Sequence, residues 1–280
     1  MLASFLIGIR EGLEAALIIG LALGVLTKLG QEQQKKSVWR GVAAAVLLSI
    51  VAAVVLGFVG FTLEGTAEEV FEGITMLLAA GVLTWMILWM RRNSRKFQAG
   101  LESNVKQAAL EGAAMPLFSI AFFAVLREGV ETALFLNAAA LTAGSSQVLI
   151  GGLLGIAAAI ALGWALAATT IRLDLQRFFT ITSLLLILFA AGLFAHGVHE
   201  FVEVGWLPGI LDPVWDINPI LSEESFLGTT LKTIFGYNGN PSLTEAIAYV
   251  AYFALIWVVF RWDHMRNQQR LTPPQRVITE

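Results

Sequence analysis

Two copies of an Arg-Glu-Gly-x-Glu motif carry the residues of this chain that are best suited to chemistry. They occupy residues 10–14 and 127–131. In each copy the glutamates are three residues apart, so a helix places them on one face, with the arginine beside the second glutamate. Carboxylate oxygens are hard ligands that suit hard cations, whereas soft Cu(I) calls for Cys or Met. The motif predicts a metal-cation site with four candidate ligands: Glu11, Glu14, Glu128 and Glu131.

Both motifs lie in a chain that is too apolar to be soluble. Of its 280 residues, 57% are hydrophobic and 14% are charged, and the mean hydropathy is +0.74, whereas soluble domains carry about 25% charged residues. The stretches 41–63, 73–90 and 143–171 contain no charge. Runs of about 18 or more apolar residues can cross a bilayer as helices. The composition therefore indicates an integral membrane protein, and the absence of cysteine excludes thiolate ligands.

The charges of the two motifs must be explained within this apolar setting. Together they sum to −2, because each copy has one arginine and two glutamates. A charge at the bilayer centre costs from about 2.5 to more than 10 kcal/mol, so these groups face one another, water or a bound cation. Arg10 and Arg127 are predicted to balance the carboxylates. Alternatively, each arginine only pairs with the glutamate four residues later; this leaves Glu11 and Glu128 without partners.

Seven transmembrane helices are predicted, and the fold class is an all-α membrane protein. Their approximate ranges are 2–27, 41–63, 70–90, 114–142, 147–171, 178–203 and 243–262. Ser242 and Glu245 form a capping-box pattern, which indicates that the last helix starts early in its range. Fifteen of the eighteen basic residues lie on one side of these spans. By the positive-inside rule the N-terminus faces outward and the C-terminus faces the cytoplasm.

The first three spans resemble the next three. Besides the motif, Leu-Ala-Ala-Gly-Val-Leu at 78–83 is echoed by Phe-Ala-Ala-Gly-Leu-Phe at 189–194. Three is an odd number, so the second copy inserts in the opposite direction, as in transporters with inverted repeats. The first motif lies about 12–18 Å along a helix from outside and the second about 20–25 Å along one from inside. In a core about 30 Å thick, the two copies can form one midplane site.

The predicted organisation is a single membrane domain over residues 1–280. Its parts are repeat one 1–91, a cytoplasmic loop 92–113, repeat two 114–203, an outer loop 204–241, a seventh helix 242–262 and a cytoplasmic tail 263–280. The outer loop holds Trp206 and Trp215. Its favoured interpretation is an interfacial loop anchored by these tryptophans; the alternative is a docking surface or a cover for the pore.

Acidic and histidine side chains gather at the outer ends of spans two, three and six. They are candidates for an outer entrance that attracts cations, and the alternative for each is a solvated helix end. The group comprises Glu64, Glu68, Glu69, Glu72, His196, His199, Glu200 and Glu203. A membrane metalloenzyme using His196, His199 and Glu200 is a further alternative. The His-x-x-His-Glu string there is not the His-Glu-x-x-His of zinc hydrolases.

With these motifs the chain resembles the oxidase-dependent, high-affinity iron permeases, including the bacterial Efe-type permease. The family signature is a doubled Arg-Glu-Gly-Leu-Glu, from which this chain departs only at Val130. Further matching strings are Phe71-Glu72-Gly73-Ile74, Leu83-Thr84-Trp85-Met86, Glu203-x-Gly205, Phe235-Gly236-Tyr237 and Pro241-Ser242. The resemblance covers nearly the whole chain.

The resemblance implies inward transport of iron across the bacterial inner (cytoplasmic) membrane by a multi-pass permease, not an enzyme. It implies Fe(III) as the species, supplied by a separate extracytoplasmic oxidase or iron-binding partner, with the motif glutamates as permeation ligands. Iron is then the substrate, and neither a permanently bound cofactor nor a nucleic-acid partner is expected. The alternative within transport is a permease for another cation, such as Fe(II), Mn(II) or lead.

Overall fold

The chain folds into a bundle of long helices. The computed structural model describes residues 1–168, 174–223 and 225–271, without the side chains of 94–98, 167–168, 226, 263–264 and 266–271. Within these residues the helices are α1 Leu2–Lys28, α2 Lys35–Thr62, α3 Thr66–Leu110, α4 Ala114–Ala143, α5 Ser145–Ala168, α6 Leu175–Glu203, α7 Phe226–Phe235 and α8 Leu243–Leu271. No strand occurs in this described part, and the predicted all-α class is confirmed. Arg172, Arg276 and residues 272–280 of the predicted tail lie outside the description.

Each predicted span overlaps one of the seven long helices. Among the residues that the structure describes, five helical stretches are long and apolar enough to cross a membrane: Glu32–Thr62, Thr66–Asn93, Ser145–Leu166, Leu175–Glu203 and Leu243–Trp262. Helices α1 and α4 have 27 and 30 residues, which is sufficient length, but each carries the three charged residues of a motif. On the outward faces of α2 and α5, Leu47, Phe58, Leu153 and Ile160 are each 65–66% exposed. Such an apolar exterior is typical of a surface that contacts lipid.

Helices pack in pairs that relate the first half of the bundle to the second. α1 lies along α5, α2 lies along α4, and α3 lies along α6, while α1 and α4 meet near the centre. The glycine pair of α1 faces α5, where a Cβ atom on Gly8 would lie 2.5 Å from the carbonyl oxygen of Gly152, and one on Gly12 would lie 2.7 Å from Cβ of Ala159. Glycine at these two positions therefore allows α1 and α5 to approach closely.

Replacing Gly8 with alanine is expected to weaken the packing of α1 on α5. The added methyl group would force the two backbones apart, and overpacking of this kind costs about 1–3 kcal/mol. The thermal unfolding temperature of the purified protein in detergent should fall. Gly20→Ala is the matched control on the same helix, because a Cβ atom there meets nothing within 4 Å. Equal unfolding temperatures for the two variants would contradict the prediction.

Helix α3 is longer than the predicted span. It continues to Leu110 through most of the segment 92–113, which was predicted as a cytoplasmic loop. The stretch lacks proline and is rich in Ala, Gln, Glu, Lys and Arg, which are good helix formers. Leu101, Val105 and Ala109, spaced by four, are buried against α1, α2 and α4. The segment is therefore a packed, amphipathic continuation of the helix.

The outer segment 204–241 contains a helix that was not predicted. Ser225 caps α7 by accepting a hydrogen bond from the backbone N–H of Gly228 at 2.9 Å, and Gly236, with φ of +67°, ends it. α7 contacts α1, α4 and α6. A Cβ atom on Gly192 of α6 would lie 2.6 Å from Cα of Gly236. Gly192 lies eleven residues before Glu203, the last residue of α6, which is about 17 Å along the helix.

The segment 226–236 therefore enters the bundle, and the favoured prediction of an interfacial loop is wrong for this part. The segment can approach α6 so closely because Gly192 and Gly236 face each other and neither residue has a side chain. Trp206 and Trp215 remain exposed at 64% and 45%, which agrees with an interfacial position for the rest of the segment.

Candidate cation site

The two motifs meet at the contact between α1 and α4. Glu11, Glu128 and Glu131 are all buried, and each offers a carboxylate oxygen within 4.8 Å of the other two. Carboxylate oxygens bind a metal such as Zn²⁺ at about 2.0–2.2 Å, so two such oxygens on one ion are at most about 4.4 Å apart. The three oxygens all lie within 4.8 Å of one another, a bound only a little above that limit. Three carboxylates from both copies thus converge on a volume that a single cation can occupy.

Arg10 is the fully buried cation of the first copy. Its side chain is 1% exposed, with Nη1 2.5 Å from Oε1 of Glu11 and Nη2 2.9 Å from Oε1 of Glu14. Nη1 also donates to the sulfur of Met86 on α3 at 3.3 Å. The expected pair with Glu14 is confirmed, but the idea that an ion-pair arrangement leaves Glu11 without a partner is wrong. The long arginine side chain reaches both glutamates although residues 10 and 11 point in different directions on the helix.

Glu14 stands apart from the converging carboxylates. It is buried and held by Arg10, and it interacts electrostatically with Glu131 and Arg127. It is not part of the group of three within 4.8 Å. Of the four predicted ligands, three therefore converge, and Glu14 lies beside them, one helical turn from Glu11.

The second copy is more open. Arg127 donates from Nε to Oε1 of Glu131 at 2.9 Å, and Nε lies 3.8 Å from Oε1 of Glu128. The Arg127 side chain is 28% exposed, and its guanidinium carbon lies 5.0 Å from the centre of the Trp89 ring. Of the two glutamates that the ion-pair alternative left without partners, Glu11 is paired with Arg10, and only Glu128 has no close contact with the arginine of its own motif.

One oxygen of each converging carboxylate lacks a donor. Oε2 of Glu11, Glu128 and Glu131 is buried and has no hydrogen-bond partner among the residues that the structure describes. Buried polar atoms are normally paired, because leaving one unpaired costs free energy. Three converging carboxylates, each with a buried oxygen that lacks a donor, are suited to a metal cation.

Small residues bring neighbouring helices against the motifs. A Cβ atom on Gly129 would collide with the side chain of Ser49 on α2, just as one on Gly12 would collide with Ala159 on α5. The glycine of each motif therefore lets another helix approach next to the glutamates.

At the predicted outer entrance, α3 and α6 bring their acidic residues together. Gly73 of α3 packs against α6, since a Cβ atom there would lie 3.1 Å from Cβ of Glu200. Glu200 interacts electrostatically with Glu69, Glu72 and Glu203, and Glu72 also with Glu68. Glu64 is exposed in the turn before α3. The structure thus gathers most of the acidic residues predicted for the outer entrance.

The two histidines of this region have different surroundings. His196 is buried, with Nδ1 3.1 Å from the carbonyl oxygen of Gly192. His199 is closer to the helix end, with Nε2 3.2 Å from Glu203 and Nδ1 3.7 Å from Glu245. They share a helix, as predicted, but not a common set of acidic neighbours.

Glu245 is a buried acidic residue of this region, and the sequence analysis did not predict that it lies here. Its side chain is 3% exposed, and its Oε2 accepts a hydrogen bond from Asn238 of the outer segment at 2.8 Å. The sequence pointed to Glu245 only through the capping-box pattern. The hydrogen bond predicted for Ser242 is confirmed, because Ser242 Oγ accepts from the backbone N–H of Glu245 at 3.2 Å. α8 begins at Leu243, but capping alone did not indicate that its glutamate faces α6.

A polar cavity of about 540 Å³ lies between the end of α4 and the outer segment. In its wall, Lys232 pairs with Glu223 at 2.8 Å. Burial alone would raise the pKa of Glu223, but hydrogen bonds from Lys232 and from the backbone N–H of Gly239 bring that pKa below its usual value. The cavity is lined by Thr142, Ala143, Asn218, Ser222, Glu223, Thr229, Lys232 and Asn240.

Comparison with known proteins relates this architecture to transport. Residues 1–263 match the family described as the iron permease FTR1 family. The chain belongs to this family. It is 38% identical over 268 residues to the ferrous iron permease EfeU of Escherichia coli O6:H1, covering 93% of this chain and 95% of the relative. It is 35% identical over 262 residues to the ferrous iron permease EfeU of Yersinia pestis, covering 93% of each. No solved structure matches the chain.

Membership of the family identifies this permease as a transporter of iron across a membrane. With its membrane-capable helices, it is a multi-pass membrane protein. The resemblance drawn from the doubled motif is confirmed. The alternative of a membrane metalloenzyme at His196, His199 and Glu200 is wrong, because the family and the relatives consist of permeases rather than enzymes.

Proposed function

We propose that this permease carries iron inward through one site made by the glutamates of its two motifs. The observation that supports the proposal is the convergence of Glu11, Glu128 and Glu131, each with a buried oxygen that lacks a hydrogen-bond donor in the described structure. Glu14 completes the site from the side, where Arg10 holds it. The arginines keep the site from excessive repulsion before the cation arrives.

The proposed topology has seven spans, with two inverted repeats of three helices followed by one further helix. The packing supports it, since α1 contacts α5 as α4 contacts α2. If α4 corresponds to α1 and α5 to α2, the two contacts are equivalent, and so are the contacts of Gly12 with Ala159 and of Gly129 with Ser49. α3 and α6 meet through Gly73, near the start of α3, and Gly197, near the end of α6, so these two helices run in opposite directions. The basic loops then place the N-terminus outside and the C-terminus in the cytoplasm.

The oxidation state of the iron has two candidates. Fe(III) is the prediction from the resemblance, and its hardness suits carboxylates. Fe(II) is supported by charge, because four glutamates and two arginines sum to −2, so a divalent ion leaves the buried site neutral whereas a trivalent ion leaves it at +1. The relatives are also named ferrous iron permeases. We therefore propose Fe(II) as the ion in the site and Fe(III) as the alternative.

Outside the site, we propose that the acidic group at the ends of α3 and α6 attracts the ion. Its carboxylates lie together without a lysine or arginine in their immediate sequence neighbourhood, and such clusters raise the local cation concentration. An iron-binding protein on the outer side of the membrane is the proposed supplier of Fe(II), and an oxidase is the supplier that the Fe(III) alternative requires. Inward movement of a cation gains about 2.3 kcal/mol per charge at 100 mV.

Uptake by purified protein in liposomes tests the proposal. Radiolabelled iron is offered as Fe(II) under anaerobic reducing conditions and, separately, as Fe(III). The wild-type protein is expected to take up Fe(II) faster, and a negative interior potential should increase the rate. The double variant Glu11→Gln, Glu128→Gln should lose uptake. Its size-exclusion elution profile should match that of the wild type, which shows that it remains folded. Uptake by this variant at the wild-type rate would overturn the proposed site, and equal uptake of Mn(II) would overturn selectivity for iron.

A further inference from the structure

The two motif copies differ in how the arginine meets the first glutamate. In the first copy Arg10 lies 2.5 Å from Glu11. In the second copy the corresponding distance between Arg127 and Glu128 is 3.8 Å, which is too long for a hydrogen bond. Arg127 Nη2 and Glu128 Oε2 are both buried and, within the described residues, both lack a hydrogen-bond partner.

This separation requires an explanation, because opposite charges attract strongly where water is excluded. The side chains belong to adjacent residues, as in the first copy, where the pair is formed. The motif sequence is the same at these two positions. The difference must therefore come from what surrounds each arginine.

Helix α3 supplies the surroundings of both arginines with residues one turn apart. Met86 faces Arg10, with its sulfur 3.3 Å from Nη1, and a thioether is only a weak acceptor. Trp89 faces Arg127, with its ring centre 5.0 Å from the guanidinium carbon, and an indole face is the strongest aromatic attractor of a cation. Of these two contacts from α3, the one between Trp89 and Arg127 is the one that competes with a glutamate for the guanidinium.

We propose that Trp89 is a positioning residue that holds the Arg127 guanidinium away from Glu128 and so keeps this carboxylate available to the cation. The inference rests on the proposed function of the site. In this arrangement Arg10 pairs with the glutamates of the first copy, whereas Glu128 of the second copy is not hydrogen-bonded to its arginine and binds the ion first. Without the ring, Arg127 would turn onto Glu128 and occupy the position of the metal.

The test measures iron binding rather than transport. Fe²⁺ alone is titrated anaerobically into the purified full-length protein in detergent. Trp89→Leu should weaken binding on the order of fivefold to thirtyfold, as expected from the loss of a desolvated cation–π contact, whereas Trp89→Phe should retain most of the affinity. Trp164→Leu on α5, where the side chain is 73% exposed, is the matched control and should bind as the wild type does.

A second background separates positioning from a general structural effect. If Trp89 acts through Arg127, the loss caused by Trp89→Leu should vanish when Arg127→Gln is also present. An equal loss in both backgrounds, or wild-type affinity in Trp89→Leu, overturns the proposal. Should the leucine variant fail to fold, the smaller loss in Trp89→Phe must likewise vanish with Arg127→Gln. If Glu128→Gln binds Fe²⁺ as tightly as the wild type, the proposed site itself fails, whatever the result at Trp89.

Discussion

Glu128→Gln is expected to reduce iron uptake by about two orders of magnitude. Changes to groups that only support metal ligands cost about tenfold to a hundredfold, and Glu128 would be a ligand itself. It is one of the three converging carboxylates and the one least engaged by an arginine. Glutamine keeps the size of the side chain but removes its charge, so the site no longer compensates the cation. The measurement is the initial rate of labelled iron uptake in liposomes.

Glu14→Gln and Glu111→Gln provide the comparison. Glu14 lies outside the converging group and is held by Arg10, so its replacement should lower uptake only about tenfold. Glu111 is exposed directly after α3 and belongs neither to the motifs nor to the outer acidic group, so its replacement should leave the rate close to that of the wild type. A loss at Glu14 as large as that at Glu128 would instead support four equivalent ligands, as the sequence alone suggested.

The positions of the long helices could be predicted because lipid imposes a simple rule on the sequence. A membrane helix needs about 20 apolar residues and satisfies its own backbone hydrogen bonds, so hydropathy indicates where it lies. The same rule does not apply beyond the apolar core. It therefore missed the continuation of α3 to Leu110 and the short α7, which depend on helix propensity and on packing against the bundle.

The site shows a similar division. The spacing of the motif predicted the pair between Arg10 and Glu14, since residues four apart are neighbours on a helix. It did not predict the contact of Arg10 with Glu11, because neighbouring residues point in different directions and only a long, flexible side chain bridges them. The contacts of Met86 and Trp89 with the arginines could not be predicted for another reason. They join residues that are far apart in the sequence.

The asymmetry of the arginines also separates two tasks within one motif. A completely buried cation such as Arg10 mainly offsets the desolvation of its carboxylates, so it stabilises the fold. A partly exposed cation such as Arg127 can move at less cost, because water replaces its lost contacts. In a transporter both tasks are needed, since the bundle must survive without its ion and the ion must still find an open ligand.

Arg10→Gln is accordingly expected to destabilise the protein by about 3–5 kcal/mol, the usual cost of breaking a buried ion pair by removing one partner. Glu11 and Glu14 would remain buried with no cation. Arg127→Gln should cost less, because that side chain is 28% exposed. Denaturant unfolding of the purified protein in detergent measures both, and the triple variant Arg10→Gln, Glu11→Gln, Glu14→Gln should recover much of the loss. Equal midpoints for Arg10→Gln and the wild type would contradict this assignment.

Added iron offers a sharper version of the same test. A ligand stabilises the folded state by RT ln(1 + [L]/Kd), so the effect grows with affinity. If Arg10 and the cation neutralise the same carboxylates, removing Arg10 leaves a more negative site that binds Fe²⁺ more tightly. The rise in unfolding midpoint on adding Fe²⁺ should then be larger for Arg10→Gln than for the wild type. An equal rise in both would mean that the arginine and the ion act on separate groups, and Arg10 would then be a structural ion pair only.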